Sequence, residues 1–176
     1  MDKEQLMNIR HSALTELEGT LQEALIAAKL NTYEDGEIEV LNVIFPVLGI
    51  DGEGVAAELL FLPILSEEAL VQYFATVVTI AEEIEQEHFH KLYEAISFIN
   101  YRIPCGCFIL EEETGTLLYK LSVPLPIELE GDALLREMNI ISGNAVAYTD
   151  QYMDLLLGML DGDIDMETIR DAFAKN

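Results

Sequence analysis

The sequence predicts an α+β fold, and three observations carry that prediction. Residues 37–64 and 105–124 each read as two β-rich stretches split by a glycine-bearing turn, the pattern of β-hairpins. Residues 3–30, 85–99 and 132–159 instead carry apolar side chains at steps of three and four, the pattern of helices. Hairpins imply a mostly antiparallel sheet with helices packed on it.

Residues 3–30 read as the first helix. Leu6, Ile9, Ala13, Leu17, Leu21, Ala24 and Ala28 form its seam, with acids between. TYEDGE (32–37) ends it with turn chemistry. Residues 37–48 are the first strand, GIDGEG (49–54) supplies a turn that tolerates positive φ, and residues 55–64 return. Ser66 can cap a short helical turn over 66–70. Residues 71–80 are β-branched and aromatic and give a third strand.

The helix over 85–99 presents Phe89, Leu92, Tyr93, Ile96 and Ile99, and Pro104 blocks its continuation. Residues 105–112 and 116–124 form the second hairpin around ETGT. Leu117, Tyr119, Leu121 and Val123 make one wholly apolar strand face, while Leu118, Lys120 and Ser122 make the other mixed. The helix over 132–159 has a heptad-like seam of Leu134, Met138, Ile141, Ala145, Tyr148, Tyr152, Leu155 and Met159, with Gly143 as a kink or close contact. DGDID stops it, and 165–174 form a short last helix. The predicted order is helix, three strands, helix, two strands, helix and a short C-terminal helix, with five strands in one domain spanning 1–176.

Composition narrows the function. The 176 residues are 51% hydrophobic, enough for a real core, yet 33 acids against 9 bases give a net charge of −24. That field disfavours nucleic acid and anionic membranes as partners. There is no apolar run of signal-peptide or membrane-span length, which points to the cytoplasm and reduced thiols. Mean hydropathy is nonetheless +0.23. A chain both apolar and this acidic holds either a well-filled core or apolar surface that meets a partner.

The candidate chemistry is thin. Cys105 and Cys107 flank Gly106, and on a strand they share a face, with at least one buried. His88 and His90, two apart on a helix, diverge by about 200° and cannot converge on one ion. CGC therefore reads as the start of a strand, with Gly106 at a bulge or close approach. Asp161, Asp163 and Asp165 have calcium-loop spacing, but Met166 and Ala172 stand where that loop needs Gly and Glu. They read as a helix stop with Asp163 or Asp165 capping the next helix. EEIEQE (82–87) and EEE (111–113) read as solvated. No nucleophile elbow, phosphate loop or dinucleotide motif occurs. No enzymatic activity, metal or cofactor is expected.

Asn100, Pro104, Gly106, Phe108, Gly115, Leu117, Tyr119 and PLP at 124–126, followed by the long seamed helix, resemble the YbjN-like family of small bacterial proteins. That family looks like the class I type III secretion chaperones in fold. The chain departs from it by extra residues at both ends, and by CGC where one glycine and an aromatic or aliphatic residue are expected. The resemblance implies a non-enzymatic, chaperone-like homodimer that holds a segment of another protein. The alternative is a bacterial regulatory or sensory protein acting through a small ligand or signalling partner, which needs an enclosed pocket.

One apolar surface is needed to cover the sheet, and whichever is left over is the expected contact. The candidates are Leu117, Tyr119, Leu121 and Val123 on the strand face and Tyr148, Tyr152, Leu155 and Met159 on the helix. Added salt should strengthen such a dimer, because like charge opposes it over a Debye length of ~8–10 Å. The thiols should be dispensable. Cys105→Ser with Cys107→Ala is expected to keep the fold at a cost of at most ~1–3 kcal/mol, read from urea midpoints, and elemental analysis showing stoichiometric zinc lost in the variant would reverse this reading.

Overall fold

The computed structural model describes residues 2–33, 38–49, 52–63 and 69–174. Helix α1 (Lys3–Glu23) begins with a capping box: Asp2 accepts from the Gln5 N–H at 2.8 Å, and the Gln5 side chain accepts from the Asp2 N–H. Leu6, Ala13, Leu14 and Leu17 are buried along it. The helix stops at Glu23, not at residue 30. Leu25 takes φ +63°, and Ala27–Tyr33 becomes strand β1. No Gly or Pro marks this reversal. The alanines favour helix, but pairing with β2 (Ile38–Leu48), from Ala27 opposite Ile44 to Tyr33 opposite Ile38, wins over propensity. Thr32 and Tyr33 of the expected turn lie in β1, and 34–37 lie outside the described residues.

The 49–54 turn holds at its ends. Gly49 and Gly52 have φ of +70° and +65°, and the Gly52 N–H donates to the Gly49 carbonyl; Ile50 and Asp51 lie outside the described residues. Strand β3 (Glu53–Phe61) returns, and β4 (Val71–Ala81) follows. Most of the expected turn at 66–70 lies outside the described residues. A 3-10 turn at Gln86–His88 leads into α2 (Phe89–Asn100), followed by β5 (Cys107–Glu111), β6 (Thr116–Pro126), α3 (Gly131–Asp161) and α4 (Met166–Ala174).

The class is α+β. Among the described residues there are six strands, all paired antiparallel, in the order β1-β2-β3-β4-β6-β5. The sixth is β1, so four strands precede α2 where the sequence pattern gives three. Alternation sorts the side chains of each strand. Leu41, Leu59, Phe74, Val78, Leu117 and Tyr119 point to one side and are buried against the helices. Helix α3 lies over β4 and β6, α1 over β1 and β2, and α2 over β5. Thr76 and Ser142, both buried, pair across the β4–α3 contact at 3.3 Å.

The seam of α3 is read correctly as far as Ala145 and again at Met159, and between them the buried positions are Thr149, Met153 and Leu156. The buried line steps by four from Ala145 to Thr149 where a heptad steps by three to Tyr148, a rotation of about 100° around the helix. Tyr148, Tyr152 and Leu155 are half-buried on its flank. The Tyr152 ring stacks on Phe173 of α4 at 5.3 Å and meets Phe108 edge-on, and Tyr148 lies over Tyr119. The helix runs unbroken through Gly143, and a Cβ there would meet nothing within 4 Å. At the end of α3, Gly162 takes the left-handed cap, and Asp165, not Asp163, caps α4 by accepting from the Thr168 N–H. That bond holds the Asp165 carboxyl below the usual carboxylate range.

The residues of the 100–126 pattern form one joint. The Asn100 side chain donates to the Phe108 carbonyl at 2.9 Å and accepts from the Phe108 N–H at 2.8 Å. Gly106 has φ +67°, and a Cβ there would sit 2.1 Å from the Tyr119 hydroxyl. That hydroxyl donates to the Cys105 carbonyl, and burial pushes its pKa well above the tyrosine range. Asn100→Asp loses the donor to Phe108 and sets a carboxylate against its carbonyl. The expected cost is ~1–3 kcal/mol at neutral pH by urea denaturation. The loss should shrink as pH falls toward the carboxyl's own pKa near ~4, where the added proton restores a donor.

Candidate functional site: the uncovered face of the sheet

Among the described residues all four helices lie on the same side of the sheet, so no helix covers the other side, although Val40 and Ala75 on it are buried. The strand register builds that side in rows. One row runs Val40, Leu60, Ala75, Ser122 across β2, β3, β4 and β6. The next runs Lys29, Asn42, Glu58, Val77, Lys120, Cys107, and the third Ala27, Ile44, Ala56, Thr79, Leu118, Ile109. Leu60, Val77, Leu118 and Ile109 are half-exposed and belong to no part of the helix-covered core. Ile44 is 49% exposed, and Tyr73 and Tyr33 are 46% and 48% exposed. At one end Val71, Tyr73, Pro124 and Pro126 form a ledge where β4 pairs β6.

The two edges of the sheet are less available than its face. On β5 the outward N–H and C=O of Phe108 are both taken by Asn100. On β1 the Leu30 N–H donates to Glu18 and the Ala28 carbonyl accepts from Gln22, both from α1. These side chains stand where a neighbouring strand would bind, which guards edges against indiscriminate pairing.

The contact residues expected from sequence lie on the covered side. Leu117, Tyr119, Leu121 and Met159 are buried in the chain's own core. Val123, Tyr148, Tyr152 and Leu155 are half-buried against the same core. The mixed face of β6, which holds Leu118, Lys120 and Ser122, is the uncovered one.

The thiols do not form a site. The strand begins at Cys107, and the positive φ of Gly106 turns the chain between the cysteines. Cys105 packs toward the core while Cys107 sits on the bare face in register with Lys120; both are free and half-buried. Glu85, Glu87 and His88 cluster at the surface before α2, where negative charge also favours the helix start.

One polar group escaped sequence reasoning. Arg10 of α1 donates to the Gln72 side chain at 3.1 Å and to the Leu62 carbonyl, and its guanidinium lies over Phe61. No carboxylate pairs with it among the described residues. Glu39 lines the same cavity of about 40 Å³, but its oxygen accepts from or pairs with His11 Nδ1 at 2.6 Å. Arg10 Nη2 and Gln72 Nε2 are buried with no hydrogen-bond partner, and burial lowers the Arg10 pKa to about 10. The cavity suits one water rather than a ligand. The signal in the sequence is Gln72, which shares its side of β4 with Phe74, Thr76 and Val78.

Gln72→Leu alone strips Arg10 Nε of its acceptor and should destabilise the protein by ~1–3 kcal/mol. Adding Arg10→Met removes the orphaned donors and is expected to restore urea stability to the wild-type level or above. A double variant no more stable than the single one would show the pair to be a net stabiliser. No family model, curated protein or solved structure matches the chain.

Proposed function

We propose that the protein is a non-enzymatic, chaperone-like binding protein that works as a homodimer in the cytoplasm and holds a segment of another polypeptide. The observation that carries this reading is the helix-free face of the sheet, where two rows rich in apolar side chains flank one that holds Lys29, Glu58 and Lys120, on a chain of net charge −24. Large apolar patches rimmed by charge mark protein interaction sites, and the acidic remainder keeps the molecule soluble. The order of elements is close to the chaperone-like pattern that the YbjN-like resemblance implies, with one strand more. No helix among the described residues is long and apolar enough to cross a membrane. A regulatory role through a small ligand has less support, since the cavity at Arg10 holds about 40 Å³ and the larger space of about 440 Å³ beside α4 is an open, acidic surface lined by Asp165, Glu167, Thr168 and Asp171.

The ledge of Val71, Tyr73, Pro124 and Pro126 is the place for a client segment, since Tyr73 and Val71 are exposed and backed by the strand pair beneath them. In molar excess the protein should suppress the light scattering of insulin reduced with dithiothreitol. Val71→Asp with Tyr73→Asp should lose at least half of that suppression while circular dichroism and thermal midpoint stay unchanged. Absence of suppression by the wild-type protein would remove the client-holding reading.

A further inference from the structure

We infer that the centre of the bare face binds a second copy of this chain, sheet against sheet, about a two-fold axis running along β4. This rests on the homodimer reading above and names its surface. An axis along β4 places each residue of the face over the one equally far to the other side of β4 in its partner. Glu58 and Lys120 flank Val77 from β3 and β6. Each Glu58 then meets the Lys120 of the other copy, twice by symmetry, while Val77 meets its own equivalent.

Size is matched in the same way. In the row of Ile44, Ala56, Thr79, Leu118 and Ile109, Leu118 of one copy lies over Ala56 of the other, and Ile109 over Ile44. In the row of Leu60, Ala75 and Ser122, Leu60 lies over Ser122. Large side chains thus face small ones, and apolar ends face apolar ends, as aligned sheet packing requires.

Charge points to the same occupant. The face carries Lys29, Lys120, Glu58 and Glu111, two bases against two acids, on a chain of −24. Neither Glu58 nor Lys120 has an ion-pair partner within the chain among the described residues. Five strands at ~4.8 Å spacing give a footprint on the order of 600 Å² before side-chain relief, close to the ~800 Å² per partner of a standard interface. β1 and the Val71–Tyr73 ledge lie at its margin.

The test exploits the reciprocal pairs. Glu58→Lys sets Lys against Lys120, and Lys120→Glu sets Glu against Glu58, so each variant alone faces like charge twice. Sedimentation equilibrium should show a wild-type dimer at tens of micromolar that tightens with salt, and each variant weakened by more than ~100-fold at low salt. Mixing the two variants pairs every charge with its opposite, so the mixture should dimerise where neither component does. Glu58 is exposed, so Glu58→Lys retains the fold, and recovery of its dimer at high salt reads the same contact if Lys120→Glu misfolds. A wild-type dimer unchanged in both variants would overturn this face and leave the homodimer reading standing. A wild-type monomer would overturn both, while the insulin assay still judges client binding separately.

Discussion

A sheet has two sides, and among the described residues every helix goes to the same one. Helix α3 is the reason. Its 31 residues cross β4 and β6, the fourth and fifth strands of the pairing order, and its buried line from Leu134 to Met159 takes the apolar side of those two strands. α1 and α2 then fill the flanks over β1–β2 and β5. No helix among the described residues remains for the other side, and a sheet with one face free of helices has to keep that face soluble, paired or guarded.

The guarding is visible at the edges and absent from the face. Asn100 satisfies both outward groups of Phe108, and Glu18 and Gln22 cover Leu30 and Ala28. These are side chains imitating a neighbouring strand. The residues that gave the 100–126 stretch its recognisable pattern therefore serve the fold. Asn100 closes an edge, Gly106 makes room for Tyr119, and Gly115, also at positive φ, lets the β5–β6 turn lie against the Ile84 backbone. A shared pattern of this kind speaks to architecture and carries no catalytic residue with it.

Much of this was legible from local pattern, and the failures have local causes. Helices over 85–99 and 132–159 and both hairpins follow from periodicity and glycine. β1 does not, because Leu25 takes a left-handed conformation with no glycine to announce it, and the alanines around it suit a helix. The alternation in β6 separates a wholly apolar side from a mixed one. Composition alone made the apolar side look like spare surface. The long helix claims that side, and the mixed side of Leu118, Lys120 and Ser122 is the one left bare. The heptad reading of α3 fails between Ala145 and Met159, where the buried line steps by four to Thr149 instead of by three to Tyr148. No local pattern marks Arg10, since its burial depends on Gln72 and Phe61, more than fifty residues away.

Charge then decides how such a surface is used. Two molecules of −24 repel at long range whatever their orientation, and contact through most of the surface brings acid against acid. The helix-free face sets Lys29 and Lys120 against Glu58 and Glu111, so the contact proposed there would bring no net like charge together. The penalty on every other orientation is a form of specificity: the acidic remainder disfavours wrong encounters, and the apolar rows reward one encounter. An apolar face without that acidic surround would risk indiscriminate association. An acidic molecule without the neutral face would stay dispersed. High charge and positive mean hydropathy, which look contradictory in composition, are the two halves of one arrangement.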